Sequence, residues 1–221
     1  MNRPSIGGCS LLLAAMIMVE PVDLLGLRAV QVGGGLPPAW TAIPVRRQRS
    51  PVATVLDSAD TRFVRLAGTG RAGWFVNRLA APVAPSATRL AVSWRVLVAP
   101  RGADLRAAAT DDAALRVFVV FAMQGPFERT PRTLFYSSGA AEPSGYHRPS
   151  FQSRALHVIR LASDVSSSLW METELDPFSD YQRIWGGKPR AVVAVGLMQD
   201  TEQTGSTAMA DVRGLAWTPR P

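Results

Sequence analysis

Four aspartates and one arginine are the residues of this 221-residue chain best suited to hold a ligand. Asp111 and Asp112 stand side by side, Arg116 follows closely, and Asp180 adjoins Tyr181. Asp200 opens the polar run Thr201-Glu202-Gln203-Thr204-Gly205-Ser206. Carboxylates, amides, hydroxyls and a planar guanidinium recognise sugar hydroxyls or anions through directed hydrogen bonds. The same oxygens would suit a structural calcium ion, which takes about six to eight such ligands. Their commoner use is to cap strand ends and turns. Arg116, placed at the head of an apolar strand, is expected to bridge to one of the acids and orient the loops there.

Other side chains offer less. Glu172 and Glu174 share one strand face, with Cα atoms roughly 6.5–7 Å apart, and carboxylates about 5–9 Å apart can hydrolyse glycosides. Such a pair must flank its substrate from opposite sides, which neighbours on one strand do not, so a solvated face is expected. His147 lies with Tyr146 and Arg148 in a Gly/Pro/Ser loop, and His157 begins a strand, where it is expected to point outward. The chain contains no Gly-x-Ser-x-Gly, Ser-x-x-Lys or His-Glu-x-x-His, so nucleophilic and zinc-protease chemistry lack a carrier. Tyr136, Tyr146, Trp170 and Trp217 are candidates for exposed faces on which a sugar ring would stack. Trp94 and Trp185 are expected to pack inside.

The elements that must position these groups are strands. Residues 88–98 alternate, with Leu90, Val92, Trp94 and Val96 on one face. Residues 115–123 are apolar on both faces, as in a central strand. Further strands are expected at 61–66, 73–77, 132–137, 155–161, 169–175, 191–200 and 208–217, with a helical turn near 105–109. One helix interrupts them. Asp176 caps it, Pro177 takes its first position, and Phe178, Tyr181 and Trp185 recur on one side. Gly186-Gly187 and Pro189 end it. Strands at this spacing with one short late helix predict a mostly β fold: a two-sheet antiparallel sandwich of jelly-roll or galactose-binding-like type.

Composition sets outer bounds. With 47% hydrophobic and 19% charged residues the chain is globular. The net charge of +7 is carried almost wholly by arginine, Lys188 being the single lysine. The arginines are scattered, with one cluster at Arg46-Arg47-Gln48-Arg49, and no nucleic-acid module accompanies them, so no nucleic-acid partner is expected. The apolar run from Ile6 to Val19 is short for a membrane span of about 20 residues and suits an export leader. Cys9, the only cysteine, falls in that leader, leaving the remainder without a disulfide. The expected organisation is residues 1–32 as leader and flexible entry and 33–221 as one sandwich domain. A periplasmic or secreted bacterial protein without a membrane span in its mature chain follows.

The order of motifs is similar to that of a bacterial family. Asp111-Asp112 before Arg116-Val-Phe-Val-Val-Phe121, then Leu134-Phe-Tyr136, then Asp180-Tyr181, then Leu197-Met-Gln-Asp200-Thr-Glu-Gln-Thr204 resemble the domain of unknown function 3047. The likeness spans roughly Trp40 to Trp217. The family pattern has Thr, Asp and Asn where this chain has Gln199, Glu202 and Gln203, and an aromatic after Tyr136 where this chain has serine. The resemblance implies a shared fold and brings no assigned activity. Asp111, Asp112, Arg116, Tyr136, Asp180, Tyr181, Asp200 and Thr204 are therefore the candidate ligand-binding residues, with no catalytic or metal set and no cofactor. The residues point to an exported, non-catalytic module that binds a carbohydrate or cell-envelope glycan. An enzyme acting on envelope polysaccharide through Asp or Glu, or a periplasmic interaction scaffold, are the alternatives.

Overall fold

The computed structural model describes residues 20–45, 47–58, 61–85, 88–125, 128–139, 141–161 and 169–219. The leader, Cys9 and Arg46 lie outside them. In chain order the strands are β1 (Val22–Asp23), β2 (Trp40–Pro44), β3 (Val52–Ser58), β4 (Thr61–Thr69), β5 (Ala72–Val83), β6 (Thr88–Val98) and β7 (Ala113–Phe121). They continue with β8 (Thr133–Ser137), β9 (His147–Pro149), β10 (Leu156–Arg160) and β11 (Met171–Leu175). Helix α1 (Pro177–Trp185), β12 (Val192–Asp200) and β13 (Thr207–Pro219) complete the fold.

The strands form two sheets packed face to face. One runs β11-β6-β13-β4-β3 with β1 added to β13, and the other runs β2-β5-β12-β7-β8-β10-β9. Pairing is antiparallel except between β8 and β10, which run parallel. The expected sandwich is the observed architecture. Its core is the alternate face of each strand: Leu90, Val92, Trp94 and Val96 of β6 meet Leu115, Val117, Val119 and Phe121 of β7 across the interface. Burying a side chain of this size stabilises the fold by about 1.5–3 kcal/mol, and period-two alternation puts every other residue there.

Helix α1 closes one edge of the sandwich. The Asp176 side chain accepts the Ser179 backbone N–H at 3.0 Å, as a capping residue should. Phe178 and Tyr181 enter the core, where Tyr181 meets Phe121 edge-on at 4.7 Å between centroids. Gln199 joins the two sheets from within: its amide donates to the carbonyls of Leu66 and Ala114, each at 3.1 Å.

Several local expectations need correction. Residues 20–32, read as leader and entry, contribute Leu24, Leu25 and Leu27 to the core, and Leu24 N–H donates to Leu215 O at 2.8 Å. Gly33 and Gly34 pair with Val55 rather than forming a free linker. The expected helical turn at 105–109 is a short 3-10 turn at Ala108–Thr110. Tyr136 and Trp217, considered for exposure, are 1% and 5% exposed. Trp217 stacks on Phe178 inside the sandwich, because alternation in β8 and β13 turns both rings inward.

Candidate functional site

The outward face of the seven-stranded sheet is not a plain polar surface. Phe118 of β7, Phe135 of β8, Val158 of β10 and Met198 of β12 form a second buried apolar cluster there. Trp74 and Val76 of β5 pack against it. This explains the two-faced apolar sequence of β7: one face fills the sandwich and the other lies beneath loops. Trp74, Phe118 and Phe135 are mutual neighbours with centroids 5.5–5.7 Å apart. Gly196 of β12 lies under Phe118, where a Cβ would stand 2.1 Å from the ring and 2.6 Å from the Phe75 carbonyl.

Loops wall the face. Leu105, from the β6–β7 connection, presses onto the cluster. The Glu142 carboxylate accepts the Leu105 backbone N–H, and the Arg148 guanidinium donates to the Leu105 carbonyl. Glu142 is itself paired with Arg160 of β10 at 3.2 Å, both side chains fully buried. Gly139 leaves room for that arginine, since a Cβ would meet its Cδ at 2.3 Å.

Between these walls lies a cavity of about 360 Å³, floored by Trp74, Phe135 and Met198 and rimmed by Asp111, Arg116, Asp200 and Gln203. Arg116 and Met198 face each other across β7 and β12, and Met198 faces Trp74 across β12 and β5. The strand ends thus bring a guanidinium, a thioether and an indole into one row. Arg116 donates to the side chain and carbonyl of Asp111, both at 2.7 Å. Its other nitrogen lies 3.5 Å from Asp200 Oδ2. Arg148 holds the second oxygen of Asp111 at 2.8 Å.

Asp200 is therefore the weaker partner of a shared arginine. Burial pushes its carboxyl up to about 7; Arg116 opposes the rise, and the charges of Asp112 and Glu202 add to it. Among the described residues, Asp200 Oδ1, Gln203 Oε1 and the Trp74 indole N–H are buried without a partner. Such groups are rare in folded proteins and are expensive to leave unpaired.

Asp112 stands behind this rim, fully buried. Its oxygens accept the Gln203 N–H at 3.3 Å, the Thr204 N–H at 2.8 Å and the Thr204 hydroxyl at 2.6 Å. Asp112 and Thr204 thus fix the 201–206 loop from within. Among the described residues, no group of three or more His, Cys, Asp and Glu side chains is arranged to hold a metal.

The remaining three candidates sit elsewhere. Tyr136 faces the sandwich interior and donates to Asp180 Oδ2 at 2.8 Å, while Arg183 holds the other oxygen. Burial, together with Asp180, keeps the Tyr136 hydroxyl firmly protonated. Tyr181 accepts from Arg132 at 2.6 Å. These bonds seat α1 on the sheet, and β8 separates them from the cavity.

The described chain matches the family model for a protein of unknown function, DUF3047, over residues 38–216. The chain belongs to this family. No curated protein matches it. Among solved structures, this DUF3047 chain is similar to the family 11 carbohydrate-binding module of the cellulosomal cellulase Lic26A-Cel5E of Clostridium thermocellum. Identity there is 10%, over 91% of this chain and 95% of that one, with a TM-score of 0.50. It is also similar to the family GH12 endoglucanase 3 of Trichoderma harzianum, at 10% identity over 84% and 91% with a TM-score of 0.44. The first likeness places the DUF3047 chain among jelly-roll sandwiches.

Sequence reasoning passed over Trp74, the Glu142–Arg160 pair and the aromatic cluster. The signal for the cluster was present: a strand apolar on both faces needs a cover on each. His157 also departs from expectation. It is 6% exposed rather than outward, edge-on to the Trp185 ring, with Nε2 3.1 Å from Nδ1 of His147. Burial, then the neighbouring His147, Arg183 and Arg148, lower it to about 4. Glu172 and Glu174 lie on the other sheet, in ion pairs with Arg213 and Arg89.

Proposed function

We propose that this protein is an exported, non-catalytic module that binds a carbohydrate, such as a cell-envelope glycan, in the cavity on the outer face of its seven-stranded sheet. One observation carries the reading: buried, unpartnered donors and acceptors on Trp74, Asp200 and Gln203 line a cavity floored by aromatic and thioether groups. A sugar ring presents an apolar face to such a floor and hydroxyls to such a rim. The sandwich shared with a carbohydrate-binding module supports it at the level of fold.

The arrangement of acids favours binding over hydrolysis. Asp111 and Asp200 are both tied to Arg116, so they sit on one side of the cavity, whereas glycoside hydrolysis needs carboxyl groups on either side of the scissile bond. Isothermal titration of the full chain with neutral gluco-, xylo- and manno-oligosaccharides tests the reading. Binding to at least one series, weakened tenfold or more by Trp74→Ala, is expected. No binding across all series, or binding indifferent to Trp74→Ala, overturns it. Release of reducing ends during the titration would transfer the reading to an enzyme.

A further inference from the structure

The charges around the cavity choose among sugars. Arg116, which lines it, and Arg148, behind Asp111, are both engaged. Arg116 donates to Asp111 twice and lies beside Asp200 and Ser137. Arg148 is spent on the carbonyls of Leu105 and Pro149 and on Asp111. Against these two positive charges stand Asp111, Asp112 and Glu202 beside Asp200, so an entering anion meets a net negative rim even where Asp200 is protonated.

The unpartnered groups point the same way. Of those on residues lining the cavity, Asp200 Oδ1 and Gln203 Oε1 are acceptors and the Trp74 indole is a donor; Arg148 Nη2, held near Asp111, is a further donor without a hydrogen bond. The Asp200 side chain is 8% exposed, so its free oxygen is shielded from bulk solvent. Asp200 lies one step along β12 from Met198, the residue facing Trp74, so the acid and the indole are diagonal neighbours about 7–8 Å apart at Cα. A ring lying on Trp74 therefore brings its substituents to Asp200.

Resting on the glycan reading above, we propose that the cavity prefers a pyranose bearing a free amino group, with the ammonium donating to the Asp200 carboxylate at the rim, and that it excludes uronates. A charge-assisted hydrogen bond exceeds a neutral one by roughly 1 kcal/mol, which is about fivefold to tenfold in affinity.

The test is calorimetric titration of the full chain at pH 7 with three oligosaccharides of equal length: β-linked glucosamine, glucose and galacturonate. The expected order is glucosamine tightest by about fivefold to tenfold, glucose next, and galacturonate without measurable binding. Asp200→Asn is expected to erase the gap between glucosamine and glucose. Glucose binding as tightly as glucosamine, or any tighter binding of galacturonate, overturns this inference and leaves the glycan reading standing. Failure of all three, with the neutral series above also silent, removes that reading and this inference with it. The comparison of ligands on the unaltered chain stands even should Asp200→Asn fold poorly.

Discussion

Replacing Asp200 by Asn should make the protein more stable at alkaline pH. The free carboxyl of Asp200 has moved from 3.8 to about 7 in the folded chain, first through burial. Each unit is worth about 1.4 kcal/mol, so the ionised form is disfavoured by at most about 4 kcal/mol relative to the protonated one. The sign follows from linkage. A raised pKa means the folded state binds more protons than the unfolded state between about pH 4 and 7. The stability due to protonated Asp200 is thus complete below 3.8 and is lost as pH rises through 7. Asparagine matches the neutral carboxyl in shape and does not titrate. Urea unfolding of both proteins from pH 4.5 to 8 isolates the effect, because groups not coupled to Asp200 cancel in the difference. The variant should gain on the parent with rising pH and lead by a few kcal/mol at pH 8. A parent that matches or exceeds the variant at pH 8 would refute the reasoning, because it would mean that Arg116 holds Asp200 ionised despite a 3.5 Å separation and its stronger tie to Asp111.

Further outcomes follow from the same contacts. Gly196→Ala forces a methyl against both the Phe118 ring and the Phe75 carbonyl; overpacking of this kind costs about 1–3 kcal/mol, and an unchanged urea midpoint would contradict it. Glu142→Gln breaks the buried Glu142–Arg160 ion pair, at a cost of about 3–5 kcal/mol, readable by the same unfolding assay. In histidine NMR titrations, His157 should stay neutral until the pH falls towards 4. Its contribution to stability is present above 6.5 and lost as pH falls through 4, so a midpoint near 6.5 would show that the ring is solvated.

Much of the sandwich was legible in alternation. Residues 88–98 match β6 to the residue, and Asp176-Pro177 marked the helix start because a cap and a ring with fixed φ act locally. The short edge strand β9 and the exposed β3 were not legible, since little apolar periodicity survives where both faces meet solvent. The parallel β8–β10 pair is a matter of topology that no local pattern encodes.

The site was legible only in part, for a related reason. Alternation says that two residues share a face, and so Arg116 and Phe118 are linked in β7. It does not say which loop covers that face. Asp111 meets Arg148 across a gap of 37 positions and Glu142 meets Arg160 across 18, pairings set by tertiary folding. Asp180 is of the same residue type as the cavity acids, yet the helix turns Tyr181 into the core and sets Asp180 against the Tyr136 hydroxyl.

The central claim is that the cavity beside Trp74 receives a sugar. The protein has six tryptophans, and each indole N–H gives its own signal in a nitrogen–proton correlation spectrum. Titration with the tightest-binding oligosaccharide is the most direct test. The account predicts that the Trp74 indole signal, unpartnered in the free protein, shifts progressively and saturably while those of Trp94 and Trp217 stay fixed. A Trp74 signal that stays fixed while Trp170, on the opposite sheet, moves would contradict it.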